Sequence, residues 1–142
     1  MDSSTVEFYI GYLSRIKQLL ESNAFKERYR TCEKAFTRNR TLTFPIVILF
    51  LLNLVKRGLQ DELDEFFKAF TGDKVATRVV TKSAFCQARR KLDYRAFIEL
   101  NQAQVDYFYQ ENEPYLWHGF RLLAIDGSMA DLPQNEAVKD HF

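Results

Sequence analysis

One carboxylate, that of Asp126, stands at the end of a short apolar stretch near the C-terminus. Phe120 to Ile125 (FRLLAI) is typical of a strand buried on both faces. A carboxylate at the end of such a strand can hold a divalent metal ion for phosphoryl transfer. Asp126-Gly127 is also a common hairpin turn. Because one Asp cannot hold a pair of metal ions, and Asp131 and Asp140 stand at no convincing spacing from it, the residue pattern alone favours the turn.

A second stretch that could bind a ligand is the basic segment Lys82 to Leu92 (KSAFCQARRKL). If Phe85, Ala88 and Leu92 face the core from a helix, the polar and basic side chains form or flank its outward face. These are Lys82, Ser83, Gln87, Arg89, Arg90 and Lys91. Such residues contact phosphates, and Arg or Gln can form paired hydrogen bonds with guanine or adenine edges. The pattern indicates either a DNA-binding helix or a solvated basic surface, and by itself slightly favours the latter.

Charge is unevenly distributed along the chain, although the formal net charge is only +1. Lys74 to Arg95 contains seven Lys or Arg residues and one acid, whereas Ala96 to Phe142 contains two Lys or Arg residues and eight acids. A basic earlier part of the chain and an acidic C-terminal part favour an anionic partner for the earlier part. Solvated helix faces that differ in charge are an equally good explanation of this pattern.

Composition excludes several classes of protein. The 142 residues, 46% of them hydrophobic, suffice for one domain, or for a small domain and a fragment of another. Cys32 and Cys86 lack the spacing of a zinc site and are expected to be reduced thiols. The longest apolar run, Phe44 to Val55, has 12 residues and is too short to cross a bilayer. The N-terminus lacks signal-peptide order, so a cytoplasmic location is expected.

Apolar periodicity and capping residues predict a mainly α fold. The third helix is apolar on all sides, which predicts a central, buried element. An acidic helix precedes the basic one, as in a helix-turn-helix motif. The connection between them, Thr71 to Val80, has ten residues, whereas a strict motif has 3–4. The pair of helices would therefore be a loose variant of the motif. The expected helices are Thr5–Ser22, Phe25–Phe36, Phe44–Val55, Gln60–Phe70, a helix from the N-cap Thr81 to Leu92, and one from the cap Asp93 to Glu111.

The outer helices carry apolar residues at helical spacing. On the first helix Val6, Tyr9, Ile10, Leu13, Ile16 and Leu20 lie opposite a polar side, and on the sixth Phe97, Ile98, Val105 and Phe108 share a face. These faces are expected to pack inward.

Three stretches resemble DDE-type insertion-sequence transposases of the group often called the IS-four type, and they follow one another along the chain in the order found in that family. Phe120 to Pro133 (FRLLAIDGSMADLP) resembles the first catalytic strand of that family and its hairpin partner. Phe36 to Phe44 (FTRNRTLTF) is similar to its entry into a buried helix. Thr81 to Leu92 (TKSAFCQARRKL) is similar to its Ala-Phe-x-x-Ala-Arg-x-Lys segment. Together the three stretches are fairly specific for the family.

The resemblance implies a helical DNA-binding region over residues 1–115, which binds the double-stranded terminal inverted repeats of a transposon. It also implies the start of a ribonuclease-H-like catalytic domain over residues 116–142. Arg38 and Arg40 join the six residues of the basic helix as expected DNA contacts. Asp126 matches the first of three carboxylates that hold Mg²⁺ or Mn²⁺ in the complete enzyme. In the family's chains the second Asp and the Glu lie further along than the point that corresponds to residue 142 here. This chain alone is therefore expected to bind DNA at the bacterial nucleoid, but not to catalyse transposition or to hold the metal.

Two other functions remain open from the sequence. A helical interaction module could form homodimers, or dimerise with full-length transposase and inhibit it. An independent metal-dependent nuclease could use Asp126 with Asp131 or Asp140, which is the weakest of the three hypotheses because a two-metal site needs several convergent carboxylates.

Overall fold

The computed structural model describes residues 3–38, 40–53, 57–111 and 116–121. Contacts divide the chain into two units, Met1–Glu111 and Asn112–Phe142, where the sequence predicted a division after residue 115. The described elements are six helices, α1 (Ser3–Glu21), α2 (Asn23–Tyr29), α3 (Phe44–Leu52), α4 (Leu59–Thr71), α5 (Lys82–Arg89) and α6 (Arg95–Glu111), and two strands, β1 (Leu116–Trp117) and β2 (Phe120–Arg121). The prediction of a mainly α chain is confirmed.

Helix α3 is the centre of the first unit, as its sequence predicted. The hydroxyl oxygen of Thr43 accepts the N–H of Ile46 at 3.5 Å, and Pro45 occupies the first turn, where no intrahelical N–H is needed. Phe44 and Ile48, on one side of the helix, and Phe50, on another, are fully buried. The helix therefore packs against neighbours on more than one face, but it is not buried all round, since Leu49 and Leu52 are 37% and 49% exposed.

Two hydrophobic clusters meet at α3. The first contains Val47 and Phe50 of α3 with residues of α4, α5 and the segment between them, namely Leu63, Phe67, Val80, Phe85 and Ala88. The second contains Phe44 and Ile48 with residues of α1, α2 and α6, namely Leu20, Phe25, Ala96 and Leu100. The predicted inward side of α5, formed by Phe85 and Ala88, is confirmed.

Helix α2 ends at Tyr29, whereas the sequence predicted a helix to Phe36, and this prediction was wrong. The physical reason is a pair of long-range backbone hydrogen bonds. The carbonyl of Tyr29 accepts the N–H of Asp93 at 2.9 Å, and the N–H of Thr31 donates to the carbonyl of Lys91 at 2.9 Å. These bonds form an antiparallel bridge between residues 30 and 92, which holds the end of α2 against the start of α6.

Glu99 of α6 adds a side-chain link to α2. Its carboxylate accepts the hydroxyl of Tyr29 and, at 2.7 Å, the guanidinium of Arg28. The hydrogen bond from Tyr29, together with the contact with Arg28, holds the pKa of Glu99 below its usual value despite partial burial. The contribution of this contact to stability is therefore present at neutral pH and is lost as the pH falls through that lowered pKa.

The apolar face of α1 is only partly covered, contrary to expectation. Ile16 and Leu20 pack into the second cluster, but Tyr9, Ile10 and Leu13 are 51–63% exposed. A neighbouring face packs on α6 instead, where the ring of Phe8 stacks on that of Tyr107 at 5.5 Å. Because α1 carries aromatic residues on this second face as well, its apolar repeat could not identify which side is buried.

Helix α6 also departs from its predicted face. Ala96, Leu100 and Gln104 are its buried residues. Ile98, one of the residues expected to pack inward, is 60% exposed. The start of the helix is as predicted, since the carboxylate of Asp93 accepts the N–H of Arg95 at 2.9 Å.

The hairpin of the second unit pairs β1 with β2, with Leu116 opposite Arg121 and Trp117 opposite Phe120. His118 and Gly119 form its turn with φ values of 49° and 83°, as a two-residue hairpin turn with two left-handed residues requires. The expected strand from Phe120 to Ile125 is described only at its first two residues. Asp126 and Gly127 lie outside the described residues, so the ribonuclease-H-like continuation remains a prediction.

Replacement of Gln104 by Met should stabilise the protein. Gln104 is 8% exposed, and neither its amide nitrogen nor its amide oxygen has a hydrogen-bond partner among the described residues. Because an unsatisfied buried polar group costs about 1–3 kcal/mol, we expect Gln104→Met to raise the free energy of unfolding by about 1 kcal/mol, measured by urea denaturation. The matched control is Gln110→Met at an exposed position of α6, with an expected change of about 0.5 kcal/mol or less. If Gln104→Met clearly lowered the free energy of unfolding, the amide of Gln104 would have to be hydrogen-bonded in the folded protein.

Candidate nucleic-acid interface

A groove of about 590 Å³ lies between the connection before α3 and one side of α5. It brings together two segments that the sequence identified separately, the Arg38/Arg40 segment and the basic helix. The side chains that line it come from residues 34–42, from the end of the α4–α5 connection and from α5 itself. They are Lys34, Phe36, Thr37, Arg38, Arg40, Thr41, Leu42, Val79, Val80, Thr81, Ala84, Gln87, Ala88 and Lys91.

Packing against α3 places the first wall of the groove. Phe36 and Leu42 pack against the first hydrophobic cluster, and the ring of Phe36 meets that of Phe44 edge to face at 5.4 Å. Phe36 has a φ of 56°, a left-handed conformation that a bulky side chain rarely adopts. Residues that follow Phe36, among them Arg38 and Arg40, line the groove together with residues of α5.

Helix α5 supplies the second wall through one row of side chains. Thr81 caps the helix by accepting the N–H of Ala84 at 3.2 Å, as predicted. Ala84 and Gln87 are three residues apart, which places them on one side of the helix, and Lys91 follows two residues after the helix ends. Gln87 and Lys91 are exposed, and both were predicted DNA contacts.

The other predicted contacts of α5 do not line this groove. Lys82, Ser83, Arg89 and Arg90 are all exposed. Helical spacing directs Lys82 and Arg89 to the other flank of the outward surface and places Ser83 and Arg90 between that flank and the groove. The sequence thus identified residue types able to contact DNA without showing which of them share a surface. It missed Lys34 and Phe36, since both fell within the helix predicted over Phe25–Phe36.

The groove has a strongly basic lining. Lys34, Arg38, Arg40 and Lys91 are exposed, and none of them forms an ion pair with a described residue. No Asp or Glu is among the lining residues. Because the charges share one sign in a concave surface, they reinforce one another in attracting an anion.

Gln60 of α4 holds the start of α5 in position. Its amide nitrogen donates to the carbonyl of Val80 at 3.0 Å, and its amide oxygen accepts the N–H of Lys82 at 2.8 Å. The same amide nitrogen donates to the carboxylate of Asp64 at 2.7 Å. The connection between the two helices has ten residues, and this side chain ties its end to α4 just before α5 begins.

The candidate catalytic residue, Asp126, lies outside the described residues, as do Asp131 and Asp140. Among the residues that are described, no three His, Cys, Asp or Glu side chains come together as a metal-binding group would require. None of the described helices combines the length and the apolar character needed to cross a membrane.

Comparison with known proteins found no matching family model, no matching curated protein and no matching solved structure.

Replacement of Gln60 by Met should loosen the junction between α4 and α5. The substitution removes hydrogen bonds to Val80, Lys82 and Asp64, and it leaves partly buried backbone groups without partners. We expect a loss of about 1–3 kcal/mol in the free energy of unfolding, measured by urea denaturation.

Gln102→Met is the matched control for this substitution. Gln102 also donates to an Asp four residues later, at 2.8 Å, but its side chain makes no other hydrogen bond with a described residue. Equal effects of the two substitutions would show that the links to Val80 and Lys82 contribute nothing.

Proposed function

We propose that the helical unit binds double-stranded DNA and serves as the end-binding part of a DDE-type transposase. The observation that carries this proposal is the convergence of Arg38, Arg40, Gln87 and Lys91 on one groove that no carboxylate lines. Two of the three stretches that resemble the transposase family, FTRNRTLTF and TKSAFCQARRKL, form its two walls. Residues far apart in sequence thus meet at the surface that DNA binding would use.

The division of labour within this surface follows from side-chain chemistry. Arg38, Arg40 and Lys91 neutralise phosphates, which supplies affinity that is independent of sequence and sensitive to salt. Gln87 carries both a donor and an acceptor, so it can discriminate between base edges. Arg89 and Arg90, with Lys82 and Ser83, extend the contact along the outer flank of α5.

The same proposal includes the catalytic expectation for Asp126. In a complete transposase Asp126 would be the first of three carboxylates that hold Mg²⁺ or Mn²⁺, and the metal would supply activation of water and stabilisation of the leaving oxygen. The terminal inverted repeats of the transposon are the expected DNA partner, and association with the bacterial nucleoid follows from binding DNA.

Removal of two groove cations should weaken DNA binding and reduce its salt dependence. For the double variant Arg38→Gln/Lys91→Gln we expect at least a tenfold loss of affinity for a duplex at low salt. Each lost phosphate contact should lower the slope of log K against log salt by about 0.9. Fluorescence anisotropy with a labelled duplex at several salt concentrations measures both quantities.

The matched control is Lys17→Gln/Arg57→Gln, which removes the same charge from exposed positions outside the groove and outside α5. A third variant, Arg89→Gln/Arg90→Gln, tests the outer flank of α5. A larger loss from this flank pair than from the groove pair would reject the groove as the main contact. Absence of binding to any duplex at low salt would reject DNA binding altogether.

The exposed face of α1 favours a second candidate function, a module for self-association. Val6, Tyr9, Ile10 and Leu13 are 39–63% exposed and follow one another at intervals of three, one and three residues, which places them on one side of the helix. Apolar helix faces of this kind often bind a second helix. A homodimer, or a dimer with a full-length transposase, would cover this face.

Leu13→Ser should weaken self-association if α1 forms the dimer interface. We expect at least a tenfold increase in the dimer dissociation constant, because Leu13 is the most exposed of the four apolar residues, at 63%. Sedimentation velocity over a concentration series gives this constant. Leu52→Ser, at a 49% exposed position of α3, is the control. A monomeric wild-type chain at all concentrations, or equal effects of the two substitutions, would reject this candidate.

A further inference from the structure

We propose that the groove holds one unstacked nucleotide of a DNA strand, with its phosphate at the basic rim and its base on the apolar floor. The inference rests on the proposed DNA binding and specifies which part of the DNA enters the groove. Its basis is the chemical division of the lining into a cationic part and an apolar part.

The apolar part of the lining is larger than phosphate contacts need. Six apolar residues contribute to it, from the connection before α3, the connection before α5 and α5 itself. They are Phe36, Leu42, Val79, Val80, Ala84 and Ala88. Cations that contact the backbone of a duplex need no such floor, because phosphates lie on the outside of the double helix. An apolar floor suits a ligand that has an apolar face next to its negative charge.

The volume of the groove suits a ligand of that kind. Sites for small ligands measure about 300–1,000 Å³, and the groove measures about 590 Å³. A base within a duplex is stacked on both sides and offers no free face. A base at an unpaired strand end offers both faces, and apolar or aromatic side chains bind such faces whatever the base.

The polar groups around the floor fit the rest of a nucleotide. Lys34, Arg38, Arg40 and Lys91 supply positive charge for the phosphate. The amide of Gln87 forms no hydrogen bond with a described residue, which leaves both its donor and its acceptor for the edge of a base.

The strained backbone of Phe36 is an independent feature of the same wall. Its φ of 56° is unfavourable for a bulky residue, and such strain tends to occur where a ligand is clamped. Phe36 lines the groove together with Arg38 and Arg40.

Three labelled DNA molecules test the inference with the full 142-residue chain. The first is a blunt duplex, the second is the same duplex with a short single-stranded extension, and the third carries abasic sites throughout that extension. Because stacking of one base strengthens binding by roughly five- to 150-fold, we expect the second to bind about tenfold more tightly than the first. The third should lose most of this gain while it retains every phosphate.

Ala84→Leu fills the floor without changing the charge. Ala84 is exposed on the groove side of α5, so the substitution should bring the ratio of extended-duplex affinity to blunt-duplex affinity close to one. Ala69→Leu, at an exposed position of α4 away from the groove, is the matched control and should retain the preference.

Competition with free deoxyadenosine monophosphate distinguishes two sources of the same ligand. If the mononucleotide displaces the extended duplex, a free nucleotide is sufficient for binding. If the extended duplex binds more tightly than the blunt one but is not displaced, the nucleotide must belong to a strand. Both results support the site. Equal binding of the three DNA molecules without displacement would overturn this inference and leave duplex binding intact. Failure to bind any of them at low salt, or the mononucleotide, would overturn both proposals.

Discussion

The burial of two sides of α3 is the constraint on which the described helical unit depends. Phe44 and Ile48 belong to the cluster with α1, α2 and α6, while Val47 and Phe50 belong to the cluster with α4 and α5. Full burial of each such side chain contributes about 1.5–3 kcal/mol, so one short helix holds two groups of neighbours together. The same packing fixes the position of α5 and of the connection that enters α3. The groove between them is therefore a direct consequence of how α3 is buried.

The entry into α3 combines local strain with extensive packing. A left-handed conformation at a residue other than Gly costs about 1–3 kcal/mol, and Gly at position 36 would avoid that cost. Gly would also lose the ring that packs against both clusters and against Phe44. The backbone strain at Phe36 is thus offset by side-chain packing at the wall of the groove that Arg38, Arg40 and Lys91 also line.

Features that depend on neighbouring residues could be predicted from the sequence. Features that depend on residues far along the chain could not. Thr81 was recognised as a cap because a cap bonds to an N–H three residues later. The end of α2 at Tyr29 was missed, since its hydrogen-bond partners lie more than 60 residues further along. The buried side of α1 was also missed, because Phe8 gives the helix a second aromatic face. For the groove, the sequence supplied the residue types, but the packing of α3 decided that Gln87 and Lys91 belong to it and that Arg89 does not.

The electrostatics of the groove favour a binding surface over a merely solvated helix face. Elsewhere in the described residues several cations have carboxylate partners, as in the pairs Arg28–Glu99 and Arg95–Asp93. The groove cations have no such partner, and their mutual repulsion opposes folding to a small extent. On a convex surface, long side chains can separate and water screens them well. Here they border a concave surface with an apolar floor, where screening is weaker and the field of each cation adds to that of the others. The same arrangement that slightly disfavours the empty groove strengthens its attraction for an anion, and an anion with an apolar face would satisfy both parts of the lining.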